Sequence, residues 1–315
     1  MTRNEFYYRS ADKKTKIHAV AWCPEEEPKA ILQIAHGVTE HILCYEEMAE
    51  YFTKRGIMLV GNDHLGHGTS IAEGAKAMYF GPQGSWDWVV QDIYTCMKKT
   101  KEKYPGVPYY MLGLSLGSFA VRTLLIQHPG EVDGVVLVGT GQSKAMPLRL
   151  ARCMAKMECA RAGDDQSTPM IQKMAFGIYN KQFQPNRTDF DWLCAGRQGL
   201  DAYMADPLRG EAISAGVFRE MLNGMLFTMN IKNQKEMDAT KPVLILSGEK
   251  DPVGNTGRGI KAVVDSFRRA GVQDVKFKLY PGLRHNLFIE DEKQQIFHDI
   301  FRWIQKRNER NKQAA

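Results

Sequence analysis

The sequence predicts an α/β fold with a mostly parallel sheet, helices on both faces and a helical segment inserted late in the chain. Two observations indicate this fold. Short apolar runs typical of buried strands alternate with segments of helical periodicity up to residue 138, and the alternation resumes at residue 241. Between them, residues 142–238 have helical patterns and no convincing strand. We therefore predict one core domain, residues 1–141 and 239–315, and one helical cap, residues 142–238.

The composition is that of an ordinary globular protein. The 315 residues are 43% hydrophobic and 25% charged, with a net charge of +6. The densest basic run, residues 302–312, suits a solvated helix end better than a nucleic-acid arm, so no nucleic-acid partner is expected.

The polar start MTRNEFYYRS lacks the apolar core of a signal peptide, and no stretch is long and apolar enough to span a bilayer. The six cysteines form no CxxC pair, which indicates free thiols and a cytoplasmic location.

The individual elements follow from hydrophobic periodicity. Residues 5–10 and 16–22 alternate in polarity around a polar turn and predict an antiparallel hairpin. Short apolar runs predict strands at residues 30–35, 57–60, 109–112, 132–138, 243–246 and 275–280. Apolar residues at helical spacing predict helices at residues 45–52, 86–103, 116–125, 259–270 and 296–304.

The most informative stretch is a Gly-x-Ser-x-Gly motif at residues 113–117, centred on Ser115. An apolar strand precedes it and a helical pattern follows it. Glycine is needed two residues either side of the serine because a sharp strand-to-helix turn leaves no room there for side chains. For the five-residue pattern alone, a Gly-Ser-rich turn without chemistry is the better interpretation. The flanking strand and helix instead favour a nucleophile elbow, which exposes the Ser115 hydroxyl at the edge of the sheet.

Two later residues can supply the partners that a serine nucleophile needs. A serine hydroxyl attacks only when a base takes its proton and an acid orients that base. Asp251 follows one late strand, and His285 lies in the loop after the next. Both positions are at the carboxyl edge of the sheet, where the working groups of such folds gather. The chain order Ser115, Asp251, His285 is the order expected after a nucleophile elbow.

Other acids and histidines fit this arrangement less well. Asp265 and His298 fall inside predicted helices, and Asp274 precedes a strand at the wrong edge of the sheet. The remaining histidines come too early in the chain. Asp63 follows an earlier strand and is a rival acid, although the residues around it favour a tight structural turn.

An oxyanion site needs two backbone N–H groups. We predict one at Leu116, beside the serine at the helix start. We predict the other at Val38, where Gly37 lets the backbone approach a ligand. The alternative use of this region is a metal site formed by histidines 36, 41, 64 and 67. That set lacks an HExxH pattern and any cysteine pair, so we predict no metal site and assign His36 and His41 to shaping the loop.

The predicted cap holds most of the methionines of the chain. Met221, Met225 and Met229 recur there at helical spacing. A plain helical core is one interpretation of this pattern. A methionine-rich cap above the carboxyl edge of a sheet also suits an adaptable lid for flexible apolar ligands. We therefore predict that these three methionines wall a ligand pocket.

Five segments together resemble the monoacylglycerol lipase and lysophospholipase branch of the α/β-hydrolases, often described as the serine aminopeptidase S33 type. They are residues 36–41 (HGVTEH), 63–68 (DHLGHG), 113–117 (GLSLG), 248–251 (GEKD) and His285, and the resemblance covers residues 30–304. It implies an eight-stranded α/β-hydrolase fold with a helical cap between the sixth and seventh strands. It also implies a nucleophile at Ser115, an acid at Asp251, a base at His285 and oxyanion N–H groups at Val38 and Leu116.

Related branches fit less well. Prolyl aminopeptidases carry a tryptophan after the serine, where this chain has Leu116. Haloalkane dehalogenases and epoxide hydrolases use an aspartate nucleophile, where this chain has Ser115.

The residues and the resemblance predict a serine carboxylic-ester hydrolase that works through an acyl-enzyme. The expected substrates are monoacylglycerols, lysophospholipids or related acyl esters, with water as the second substrate and no cofactor. We expect at most peripheral membrane contact through the cap, and the sequence leaves the oligomeric state open. An acyltransferase or thioesterase with the same triad is one alternative. A non-catalytic binding protein on the same fold is another, and it predicts an incomplete triad, whereas this one is complete by type and order.

Overall fold

The computed structural model describes the backbone of residues 1–314 and the side chains of residues 1–310. Its strands form one eight-stranded sheet in the order β1-β2-β4-β3-β5-β6-β7-β8. β1 pairs antiparallel with β2, β2 pairs antiparallel with β4, and the later pairs are parallel. The strands are β1 (Thr2–Arg9), β2 (Lys16–Cys23), β3 (Ala30–Ala35), β4 (Ile57–Asn62), β5 (Tyr109–Leu114), β6 (Gly134–Val138), β7 (Val243–Gly248) and β8 (Val275–Tyr280). The predicted mostly parallel sheet is thereby confirmed.

Helices lie between most of the strands. They are α1 (Glu46–Thr53), α2 (Trp86–Lys103), α3 (Leu116–Gln127), α4 (Ala145–Ala162), α5 (Pro169–Ala175), α6 (Arg197–Ala205), α7 (Ala215–Met229), α8 (Ile231–Gln234), α9 (Arg258–Arg269) and α10 (Lys293–Ala314). Two short 3₁₀ helices, Ile42–Tyr45 and Tyr179–Phe183, complete the set. No helix in the described part of the chain has the length and apolarity needed to cross a membrane.

Both faces of the sheet are buried. Along β5, Tyr109 and Met111 belong to one hydrophobic cluster, and Tyr110 and Leu112 belong to another. Successive side chains of a strand point to opposite faces, so the two clusters lie on opposite sides of the sheet. The first cluster includes residues of α2, α3 and α9, and the second includes residues of α1 and α10. Burial on both faces explains why the central strands β3 to β7 are largely apolar runs, whereas the edge strand β8 is exposed along much of its length.

The segment between β6 and β7 is helical, and we refer to residues 145–234 as the helical insertion. Its helix α7 lies against α2, and a Cβ on Gly224 would come within 2.3 Å of the Trp86 ring. The buried side chain of Arg122 in α3 donates to the carbonyl oxygens of Gly141 and Thr228, both at 3.3 Å. Those carbonyls lie just before the insertion and near its end. Arg122 therefore ties both ends of the helical insertion to the core.

Candidate active site

Ser115 lies on a sharp turn between β5 and α3. Its backbone has φ +51° and ψ −116°, which is rare for a residue with a side chain. A Cβ on Gly117 would lie 1.9 Å from the carbonyl oxygen of Ala35, and one on Gly113 would lie 2.4 Å from the carbonyl oxygen of Gly117. Both glycines are therefore needed because backbone passes directly over them. This turn leaves Ser115 partly exposed at the carboxyl edge of the sheet.

Asp251 and His285 meet beside this turn. Asp251 follows β7 and His285 follows β8, and the Nδ1 atom of His285 lies 2.9 Å from Oδ1 of Asp251. Both side chains are buried. The backbone N–H of Val253 donates to the same carboxylate oxygen at 2.8 Å, and the hydroxyl of Ser247 donates to the other at 3.2 Å. The carboxylate is thus fixed, and it can hold the imidazole in the tautomer that carries its proton on Nδ1.

The second nitrogen of His285 is free to act as a base. Among the described residues, its Nε2 atom has no hydrogen-bond partner although it is buried. His285 and Ser115 line the same cavity, although no hydrogen bond joins them. Catalytic hydrogen bonds are often long or poorly aligned before a substrate is bound. The structure therefore brings together the three residues that the sequence predicts as a triad.

The predicted oxyanion groups lie at the same place. Leu116 is the first residue of α3, where backbone N–H groups have no intrahelical partner. Val38 lines the cavity with Ser115. Within the described chain, neither the N–H of Val38 nor that of Leu116 donates to a protein acceptor. Two free N–H groups beside a serine can stabilise a negatively charged oxygen.

Three buried histidines support the loop that carries Val38. The backbone N–H of His64 donates to Nε2 of His36 at 2.9 Å, and Nε2 of His64 lies 2.9 Å from the carbonyl oxygen of His36. Nε2 of His67 lies 2.5 Å from the carbonyl oxygen of Val38. Burial lowers the pKa of all three, that of His64 to about 3, so they are neutral at physiological pH. Their ring nitrogens thus form hydrogen bonds with the backbone in and around this loop, as expected from the sequence for His36.

The cavity beside Ser115 is narrow, with a volume of about 20 Å³, and its lining includes four aromatic side chains from the helical insertion. The helical insertion contributes Phe176, Phe190, Trp192, Leu193 and Tyr203. The ring of Trp192 lies 5.0 Å from that of His285, centroid to centroid. The predicted methionine wall lies elsewhere. Met221 and Met225 pack against the hydrophobic core, and Met229 lies beside a separate surface depression next to α4, because α7 packs on α3 and α4.

The rival residues also lie outside the cavity. Asp63 binds Nδ1 of His18 at 2.9 Å and the backbone N–H of Ile42 at 2.8 Å, as expected for a structural turn. Asp265 and His298 are exposed on α9 and α10. Asp274 binds Arg307.

Sequence reasoning missed three residues that hold the site together. The buried carboxylate of Glu40 accepts from the backbone N–H of Gly37 at 2.8 Å and from the side-chain amide of Asn286 at 2.5 Å. The backbone carbonyl of Trp192 accepts from the N–H of His285 at 3.4 Å. Glu40 was visible only as part of the motif at residues 36–41. Trp192 and Asn286 lie in irregular segments whose sequence has no periodicity.

Comparison with known proteins identifies the family. The sequence profile described as "Serine aminopeptidase, S33" matches residues 26–292. The chain belongs to this family. It is 28% identical over 310 residues to the monoacylglycerol lipase of Mycolicibacterium smegmatis, which covers 96% of this chain and 97% of that protein. It is 26% identical over 295 residues to the monoglyceride lipase of Homo sapiens, with coverages of 91% and 86%.

The S33 family assignment agrees with structural similarity. A thermostable carboxyl esterase from Bacillus coagulans, solved in complex with glycerol, superposes with a TM-score of 0.90. The two chains are 23% identical, and the match covers 98% of this chain and 99% of the esterase, which shows a shared fold. The protein is therefore an α/β-hydrolase of the monoacylglycerol lipase-like group, and it is a hydrolytic enzyme.

Proposed function

We propose that this S33 hydrolase cleaves carboxylic esters through an acyl-enzyme formed on Ser115. The observation that carries the proposal is that Ser115 and His285 line one cavity while Asp251 binds the far nitrogen of the imidazole. Chain order and neighbouring glycines alone would also fit an inert turn. A buried imidazole with one nitrogen anchored and the other unpartnered fits a general base.

The proposed reaction has two halves. The hydroxyl of Ser115 attacks the ester carbonyl, and Nε2 of His285 takes its proton while Asp251 stabilises the resulting imidazolium. The N–H groups of Val38 and Leu116 stabilise the oxyanion. His285 then gives the proton to the departing alcohol, which leaves an acyl group on Ser115. In the second half, water attacks the acyl-enzyme while His285 takes its proton; the bond to Ser115 breaks, His285 returns the proton to Ser115, and the carboxylic acid is released.

The proposed substrates are monoacylglycerols, lysophospholipids or related esters with one medium to long acyl chain. The aromatic lining of the cavity supports an apolar acyl group. The names of the relatives in Mycolicibacterium smegmatis and Homo sapiens support an acylglycerol. We also propose that residues 142–238 act as a cap, because the helical insertion supplies the aromatic residues of the cavity.

The test compares variants on esters of graded acyl length. Ser115→Ala should lower kcat by about 10⁶ because the nucleophile is lost. Asp251→Asn and His285→Ala should each be severe, whereas His298→Ala, which changes an exposed histidine, serves as the control. Activity of the folded Ser115→Ala variant within tenfold of the parent would refute the proposal. Adding a competing alcohol and measuring free acid against new ester separates a hydrolase from an acyltransferase.

A further inference from the structure

A second cluster of chemically active side chains lies where the helical insertion meets the core. His41 immediately precedes the 3₁₀ helix Ile42–Tyr45, which follows the loop of Val38. Cys44 lies within that helix, three residues after His41. Residues three apart in a 3₁₀ helix lie on the same side. Asp206 reaches them from the end of α6. Its Oδ2 atom lies 2.8 Å from Nε2 of His41 and 4.0 Å from Sγ of Cys44.

We propose that His41, Cys44 and Asp206 form a binding site for a zinc-class divalent cation that joins the core to the helical insertion. The donor atoms of the three side chains all lie within 4.8 Å of one another. An imidazole nitrogen, a thiolate and a carboxylate are the donors that Zn²⁺ prefers. Ca²⁺ and Mg²⁺ prefer sites built from oxygen alone, so the donor set selects against them.

Two of the three donor separations lie within about half an ångström of those of a tetrahedral ion, and the third is below 4.8 Å. Metal–ligand distances of about 2.0 to 2.3 Å place neighbouring donors of a tetrahedral Zn²⁺ roughly 3.3 to 3.6 Å apart. The separation of 2.8 Å between His41 and Asp206 must therefore widen, and that of 4.0 Å between Cys44 and Asp206 must narrow. Each change is about half an ångström. Asp206 and Cys44 can adjust because the Asp206 side chain is 27% exposed and Cys44 is exposed.

Three protein ligands leave a fourth position, which can hold water. The thiol of Cys44 must lose its proton to solvent when the ion binds, so affinity should rise with pH. The far nitrogen of His41, Nδ1, is buried and has no partner among the described residues. Ligating histidines usually donate that N–H to an acceptor. We therefore expect weaker binding than in a closed structural zinc site.

Occupancy of this site would restrain one wall of the active-site cavity. Tyr203 lies one helical turn before Asp206, lines the cavity and is hydrogen-bonded through its hydroxyl to Thr39. An ion held by Asp206 and His41 would fasten the end of α6 to the loop that follows β3. Amide hydrogen exchange across residues 197–205 should therefore slow when the ion is added.

The experiment uses Co²⁺ as a spectroscopic probe on the full-length chain. Binding should produce one thiolate-to-cobalt charge-transfer band in the near ultraviolet, and Zn²⁺ should displace it. Cys44→Ser should remove the band, and Asp206→Asn should weaken Co²⁺ affinity by at least the 10- to 100-fold cost of losing a supporting residue of a metal site. Cys153→Ser is the matched control, because Cys153 is also an exposed free cysteine, on α4, and it should leave the band unchanged.

The proposal is overturned if the parent chain gives no band, or if the band survives in Cys44→Ser. It is also overturned if Asp206→Asn binds Co²⁺ as tightly as the parent. The Ser115→Ala variant should bind the ion like the parent. The readout does not depend on ester turnover, so this proposal and the proposed ester hydrolysis can fail separately. Thermal unfolding provides a second measurement, since Zn²⁺ should raise Tm of the parent more than that of Cys44→Ser.

Discussion

At the active site, the backbone around a residue sets its conformation and position. Ser115 is held at φ +51°, and the carbonyl oxygen of Val138 accepts from its N–H at 2.9 Å. The glycines two residues either side could be predicted from the sequence because the demand for space is local. The role of Glu40 could not, because its partner Asn286 comes from a distant part of the chain.

Glu40→Gln tests whether this carboxylate positions the site. Glu40 accepts hydrogen bonds from the N–H of Gly37, the hydroxyl of Tyr45 and the amide of Asn286. An amide in its place cannot accept all three, and a lost buried hydrogen bond costs about 1 to 3 kcal/mol. We expect kcat for a short ester to fall about tenfold or more. KM should change little, because the loops that carry Val38 and His285 shift without removing a contact to substrate.

The control is Glu50→Gln, which changes an exposed glutamate on α1 and should leave kcat unchanged. If Glu40→Gln lowers Tm while kcat stays at the parent value, Glu40 supports the fold and has no positioning role in catalysis.

At the scale of elements, the irregular part of the helical insertion contacts the active site more closely than its long helices do. The backbone carbonyls of Trp192 and Leu193 accept from the N–H groups of His285 and Asn286. The segment between α5 and α6 thereby supports the histidine loop. Helical periodicity predicts α7 and its methionines, but it carries no information on loops that pack through distant contacts. The sequence interpretation placed the pocket wall on α7, whereas the helical insertion's contribution to this cavity comes largely from the segment between α5 and α6.

Paired substitutions compare the two candidate walls. Phe190 lines the cavity, whereas Met225 packs against the hydrophobic core, and both are half-buried. Each buried methylene contributes about 0.8 kcal/mol, so kcat/KM should rise about fourfold per methylene until the pocket is full. Phe190→Ser should flatten this rise across esters of increasing length. Met225→Ser should lower Tm and leave the rise intact. If Met225→Ser flattens the rise and Phe190→Ser leaves it intact, the acyl chain lies along α7.

A buried acid links helix α2 to the opening hairpin and should make stability depend on pH. Asp92 accepts from the hydroxyl of Ser10 and from the N–H of Ala11, both at 2.7 Å. Burial raises the pKa of Asp92 to about 7. The folded state therefore holds a proton that the unfolded chain releases near pH 4, so this contribution to stability falls as pH rises from about 4 to about 7.

Asp92→Asn should remove that pH dependence. The amide can still accept from Ala11 and can donate to Ser10, so both hydrogen bonds are replaced. We expect Tm to rise by a few degrees at pH 8 and to change little at pH 4, measured by calorimetry. Asp265→Asn, at an exposed position on α9, should change Tm at neither pH. A Tm of Asp92→Asn below that of the parent at pH 8 would contradict the assignment.

For the whole molecule, the sequence predicted the alternation of strands and helices, the helical insertion and the chain order of the proposed triad. Parallel strands buried on both faces produce apolar runs that are readable locally. The carboxyl edge then follows from chain direction, which is why Ser115, Asp251 and His285 could be selected. The lining of the cavity could not be predicted, because it depends on how the helical insertion folds back over that edge.

The proposed ester hydrolysis depends on acylation of Ser115. The most direct measurement is the mass of the intact protein after reaction with a fluorophosphonate, followed by digestion to locate the adduct. We expect one adduct per chain, on the peptide that contains Ser115, and none on the folded Ser115→Ala variant. An unmodified parent protein, or an adduct that persists in Ser115→Ala, would contradict this expectation.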